Sequence, residues 1–212
     1  MKKMNILQSI KNKKICAVVR VNDKKECLKI VNALYDGGIR IVEIVLNPDL
    51  QIEVVEKLKE KKDLTVIAGG IITAREAISL IDVGVSVISS PVMQTKLIRL
   101  CYSRMVDTIA TVSTANEAYE AWRFRLPLMK LHPAEALGGA VYIKEILKTM
   151  PFLNIVAAGG IEINQIEDYI NAGAIGVCIG RDLYQKFDTI LDYEKIKKNA
   201  EKAVKSVEKL VK

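Results

Sequence analysis

Short aliphatic runs alternate with amphipathic stretches along the whole chain, and this alternation predicts its elements. The apolar runs predict strands at Ile15–Arg20, Ile39–Val45, Leu64–Ala68, Ser86–Ser89, Val106–Ala110, Leu126–Lys130, Asn154–Ala157 and Ala174–Ile179. Between them, apolar positions recur at helical spacing, for example over Lys24–Tyr35, Leu50–Lys61, Thr73–Ile81 and Gln165–Ile170. Strands that are apolar on both faces suit a parallel sheet covered by helices. Eight such strand–helix units predict an α/β fold, a closed (β/α)8 TIM barrel, with one helix before the first strand and another after the last. No linker-like or low-complexity stretch divides the chain, so residues 1–212 are expected to form one domain.

Internal repeats point the same way. Asp36-Gly37-Gly38-Ile39, Asp82-Val83-Gly84-Val85 and Asn171-Ala172-Gly173-Ala174 each end a helix with glycine and launch an aliphatic strand. Ala68-Gly69-Gly70-Ile71 and Ala158-Gly159-Gly160-Ile161 repeat a strand, a glycine turn and a helix start, as in a duplicated half-barrel.

Two charges interrupt this apolar pattern. Lys130 closes the run Leu126-Pro127-Leu128-Met129, and an ammonium group there is costly unless it is paired or gives up its proton. An amine so placed is a nucleophile for a carbonyl carbon; the plainer alternative is a lysine that snorkels to solvent. Glu43 lies within Ile41-Val42-Glu43-Ile44-Val45, on the same strand face as Ile41 and Val45. It is either a buried ion-pair partner or, beside a nucleophilic lysine, a proton shuttle. Barrel active sites form at the C-terminal ends of the strands, where both residues fall.

The last two strands run into glycine turns, Gly159-Gly160 and Gly180-Arg181. Such turns bind phosphate in this fold, although a tight turn alone would also explain them. Arg20 ends the first strand as an anion ligand or as a solvated strand end. The single histidine, His132, is expected to pack or to hydrogen-bond a substrate rather than to ligate a metal.

Composition narrows the function classes. Half of the residues are hydrophobic but only 5% are aromatic, so the core is aliphatic and offers few stacking surfaces. The net charge of +7 comes mainly from lysines near the two ends. Those near the C-terminus alternate with glutamates at helical spacing, which reads as a solvated helix face rather than a nucleic-acid site. No apolar run approaches the roughly 18 residues of a membrane span, and no signal-peptide core follows Lys2 and Lys3, so a cytoplasmic protein is expected. Cys16, Cys27, Cys101 and Cys178 show no metal-binding spacing and read as buried free thiols.

The stretch Lys130-Leu131-His132-Pro133-Ala134-Glu135 resembles the K-x-F-P-A-E motif of the class I aldolases that cleave 2-keto-3-deoxy-6-phosphogluconate and 4-hydroxy-2-oxoglutarate. Val42-Glu43-Ile44 and Ser90-Pro91 are similar to further motifs of that family, and the resemblance runs from about Ile15 to Tyr184. It implies that Lys130 forms a Schiff base and that Glu43 is the acid–base residue. It further implies Arg20, Asn47, Gly70, Pro91, His132, Gly159, Gly160, Gly180 and Arg181 as substrate-binding positions. The implied substrate is a small keto acid with a phosphate, the implied assembly is a homotrimer, and neither metal nor organic cofactor is required.

Four positions depart from that pattern. Gly70 stands where the family has a threonine that helps hold the pyruvate carboxylate, and His132 replaces an aromatic residue. Leu46-Asn47 and Asp182-Leu183-Tyr184 resemble instead the branch acting on 2-keto-3-deoxy-6-phosphogalactonate. Asp182 would repel a phosphate unless its carboxylate points away. These departures leave open a phosphate-binding barrel that has lost aldol chemistry and serves as a sugar-acid binding module. An isomerase on the same barrel would need a second acid–base pair, which the sequence does not offer.

Overall fold

The computed structural model describes residues 5–45, 47–184 and 191–210; Lys2, Lys3 and Leu46 lie outside them. The strands are β1 (Ile15–Arg20), β2 (Ile41–Val45), β3 (Thr65–Gly69), β4 (Val87–Ser90), β5 (Asp107–Val112), β6 (Met129–Leu131), β7 (Ile155–Ala158) and β8 (Gly176–Ile179). They pair in parallel and in chain order, and β8 returns to β1, so the sheet closes into a TIM barrel. The helices are α1 (Ile6–Lys13), α2 (Lys24–Asp36), α3 (Pro48–Leu58), α4 (Ala74–Asp82), α5 (Thr95–Ser103) and α6 (Ala115–Arg123). They continue with α7 (Gly139–Thr149), α8 (Ile166–Asn171), α9 (Arg181–Tyr184) and α10 (Tyr193–Glu208).

Strand alternation sorts the core into two layers. Ala17, Val19, Val42, Ile44, Met129, Leu131, Ile155, Ala157, Val177 and Ile179 face outward and are covered by helix residues such as Val31, Ile143 and Ala200. Cys16, Ile41, Ile67, Val87, Ile109, Leu128, Val156 and Cys178 face inward and fill the barrel. Helix α1 adds Ile6 and Ile10 to that inner layer, and Asp107 Oδ2 accepts the Ile6 N–H at 2.8 Å. The N-terminal end of the barrel is thereby plugged. Two residues further along the strands, the inward positions become Val18, Glu43, Ser89, Thr111, Lys130 and Ala158, which line an open cavity.

Local chemistry sets the element boundaries. Thr73 and Glu76 form a capping box at the start of α4, and Thr114 and Glu117 form another at the start of α6, satisfying orphan N–H groups. The expected sixth strand is cut short: Pro127 has no N–H to give a ladder, and its carbonyl accepts from Asn154 Nδ2 at 3.1 Å. Lys130 is therefore the central residue of β6 rather than its last. Strand β2 begins two residues later than expected, because the Ile39 N–H is taken by Leu34 O at 3.0 Å. Helix α10 buries Ile196, Ala200, Ala203 and Val207, which leaves its lysines outward as the spacing predicts. No helix among the described residues is long and apolar enough to cross a membrane.

Candidate active site

Strands β2 and β6 stand four apart in an eight-stranded ring, so inward residues on them meet across the barrel. Lys130 Nζ forms a hydrogen-bonded ion pair with Glu43 Oε2 and donates a second hydrogen bond to Ser89 Oγ at 2.9 Å. Lys130 is 6% exposed and Glu43 4%. Removing either partner would leave a buried charge uncompensated.

Burial is the largest single influence on the Lys130 ammonium and pushes its pKa down, but the charge and hydrogen bond of Glu43, with smaller contributions from Cys178 and Cys16, together outweigh it, and the net direction is upward. Of the two ways to keep an amine there, the resting structure uses pairing rather than loss of the proton. The same contact gives the proton a route: transfer to Glu43 turns the ammonium into a free amine without exporting charge.

The cavity has a volume of ≈ 580 Å³ and opens at the C-terminal ends of the strands. Arg20, Gly70, Pro91, His132, Gly159, Gly160, Gly180 and Arg181 all lie on its wall together with Lys130 and Glu43. Asn47 does not. It is the N-cap of α3, where its side chain accepts the Asp49 N–H at 3.1 Å, and among the described residues the wall does not include it.

His132 lies at the rim. Burial, then the charges of Lys130 and Arg20, hold its imidazole below the ordinary value of 6.5, so it is neutral at pH 7. Asp182 is held by the backbone, since its Oδ2 accepts the Ile163 N–H at 2.7 Å, at the start of the 3-10 turn after β7. The carboxylate that would have opposed a phosphate is thus already engaged. Glu135, in the motif that follows Lys130, accepts from Tyr169 Oη at 2.7 Å and serves packing. Tyr184 Oη accepts the Arg20 N–H at 2.8 Å and anchors the end of β1.

Several wall residues were not singled out in the sequence. Ser89, Thr111, Val18, Cys178, Glu162 and Tyr184 all line the cavity. Ser89 was legible in principle, because it follows Val87 by two positions and must share its inward face. Cys16 and Cys178 lie below Lys130 in the inner layer and, with Glu43, are the described residues best grouped to hold a cation.

A family model described as KDPG and KHG aldolase matches residues 6–199. The chain belongs to this aldolase family. The 2-dehydro-3-deoxy-phosphogluconate aldolase of Treponema pallidum is 23% identical over 178 residues, which is 84% of this chain and 85% of that protein. The 2-dehydro-3-deoxy-6-phosphogalactonate aldolase of Escherichia coli K12 is 28% identical over 174 residues, 81% of this chain and 84% of that one. Among solved structures, the KDPG aldolase of Legionella pneumophila superposes with a TM-score of 0.77 at 22% identity, covering 96% of each chain. In that crystal structure pyruvate was captured at low pH as a covalent carbinolamine intermediate. The aldolase fold and family agree with the closed eight-stranded barrel.

Proposed function

We propose that this chain is a class I aldolase that cleaves a 2-keto-3-deoxy-6-phospho sugar acid or 4-hydroxy-2-oxoglutarate to pyruvate and an aldehyde. The observation that carries the reading is the buried Lys130–Glu43 pair at the inner end of a cavity with cationic and glycine-turn walls. Lys130 gives a proton to Glu43, and its free amine attacks the C2 ketone to form a carbinolamine. Glu43 returns that proton to the carbinolamine hydroxyl, which leaves as water, so that an iminium ion forms and Glu43 is a carboxylate again. Glu43, directly or through a water, then takes the proton of the C4 hydroxyl. The C3–C4 bond breaks, its electron pair enters the iminium as an enamine, and the aldehyde departs. Protonation at C3 and hydrolysis release pyruvate and return Lys130.

Arg181 with the Gly159-Gly160 and Gly180 turns suits a phosphate at one end of the cavity, and Arg20 and His132 suit substrate oxygens at the rim. Asp182 also lines the cavity, and its contact with the Ile163 amide occupies one oxygen of that carboxylate beside the anion end. The binding-module reading has no support, since the lysine and its carboxylate are in contact and the chain is a family member. We further assign residues 1–212 to one domain, the active assembly to a homotrimer as in the related family, and the compartment to the cytoplasm, which suits four free buried thiols.

Borohydride reduction in the presence of pyruvate tests the mechanism: one stable adduct is expected, at Lys130, by peptide mass spectrometry. An intact chain without adduct, or an adduct on another lysine, refutes it. Pyruvate release from the phosphogluconate, phosphogalactonate and hydroxyoxoglutarate substrates, compared by kcat/KM, assigns the aldehyde half.

A further inference from the structure

Barrel closure brings together two cysteines from opposite ends of the chain. Cys16 on β1 stands directly opposite Cys178 on β8 in the parallel register. Both side chains point into the barrel, and Cys178 reaches the cavity wall. Their sulfurs and a carboxylate oxygen of Glu43 all lie within 4.8 Å of one another. The three ligand groups come from the consecutive strands β8, β1 and β2, and all are buried: Cys178 is 5% exposed, Cys16 0% and Glu43 4%. Both cysteines are free thiols.

We propose that Cys16, Cys178 and Glu43 form a binding site for a thiophilic divalent cation such as zinc or cadmium, and that its occupation withdraws Glu43 from Lys130 and stops turnover. Zinc takes sulfur at about 2.3 Å and carboxylate oxygen at about 2.0–2.2 Å in a tetrahedron, whose edges are then roughly 3.5–3.8 Å. Ligand atoms within 4.8 Å reach that geometry through side-chain shifts of about 1 Å. Cys178 and Glu43 both line the cavity, so water can reach a fourth coordination position. Two thiol protons leave as the dication enters, so the cluster of cation, two thiolates, Glu43 and the Lys130 ammonium keeps the charge it had. That exchange avoids adding net charge to the barrel interior. Thiolate ligands select soft cations over magnesium or calcium. No short cysteine spacing announces this site, because its ligands become neighbours only when β8 meets β1.

The binding half stands on geometry alone; the inhibitory half rests on the aldolase reading. Cadmium ion alone is titrated into the reduced, metal-free full chain without substrate, and the thiolate-to-cadmium charge-transfer absorption is followed. Saturation at one equivalent is expected, lost in both C16S and C178S and retained in C101S, whose sulfur is buried on α5. X-ray absorption on the cadmium-loaded wild type reads the coordination shell without any variant and should show two sulfurs. Absence of the band, its survival in both C16S and C178S, or a shell with fewer than two sulfurs overturns the site. Cadmium should then lower pyruvate release by on the order of 10²-fold or more, the share of a lost acid–base group, and a chelator should restore it. Cadmium bound at two sulfurs with an undiminished rate overturns the inhibition. A metal-free chain that forms no pyruvate from any of the three substrates overturns the aldolase reading and leaves the cation site standing.

Discussion

The carboxylate of Glu43 occupies the space that a side chain at Gly69 would fill: a Cβ there would stand 2.6 Å from both Cγ and Oε1 of Glu43. The two residues sit on adjacent strands, so the neighbour of Glu43 has to be glycine for steric reasons alone. G69A should fold, at a cost of about 1–3 kcal/mol for the overpacked contact. It should also push the carboxylate off Lys130 and lower kcat by on the order of 10²-fold, as a displacement near 1 Å does. Denaturant melts and pyruvate release check both numbers. A kcat within twofold of wild type would show that Glu43 can move aside without consequence.

The buried pair itself predicts a thermodynamic signature. K130M leaves Glu43 without its cation, and E43Q leaves the ammonium without its anion; each should cost about 3–5 kcal/mol. The double variant E43Q/K130M removes both charges and should lose less than the sum of the singles. The raised pKa of Lys130 fixes the pH window. Its contribution is fully present below the unfolded lysine value and is lost as pH rises through the folded one, on the alkaline side of 10.5. Paired urea melts at neutral and alkaline pH measure this. Additive single-variant losses would mean that the pair contributes no coupling.

The barrel was legible because aliphatic runs recur at regular intervals and glycines mark the helix-to-strand turns, two signals set by local chemistry. Lys130 and Glu43 were legible for a different reason: a charge inside an apolar strand is an anomaly that demands a partner. Asn47 stands apart from the grouped wall residues because its side chain caps α3 at the Asp49 N–H, a role that sequence pattern does not separate from that of a ligand. Strand β6 lost its first three expected residues to one missing proline N–H and an Asn154 side chain from outside the strand. Cys16 and Cys178 looked like plain core thiols, since their meeting depends on ring closure and not on spacing. The contact of Ser89 with Lys130 crosses two strands and leaves no trace in local pattern beyond its parity with Val87.

Gly70 carries a backbone constraint that bears on its missing hydroxyl. Its φ is +79°, in the left-handed region, and a Cβ there would lie 3.1 Å from Val45 Cγ1. Restoring the threonine of the related aldolases therefore sets a β-branched residue in a conformation that costs L-residues roughly 1–2 kcal/mol. G70T should lose about that much stability and gain no kcat/KM, because the turn holds position 70 in a conformation that threonine does not favour. A tenfold gain in kcat/KM would instead show that the turn after β3 re-forms around the hydroxyl.

His132 offers a spectroscopic probe of the charges around the cavity. It is the single histidine of the chain, so one imidazole resonance reports its titration without assignment. Burial, and then Lys130 and Arg20, hold its pKa below 6.5, while Glu43 pulls it upward. The midpoint in wild-type protein should accordingly fall below 6.5. Because the folded value is depressed, stability from the neutral imidazole is complete above the unfolded value and declines as pH falls through the folded one. The variants should move the midpoint in opposite directions: E43Q downward, because an attracting anion is gone, and K130M upward, because a repelling cation is gone. Measured midpoints that shift in the same direction for both variants would show that His132 does not sense the Lys130–Glu43 pair, and a wild-type midpoint above 6.5 would show that Glu43 outweighs burial and the two cations.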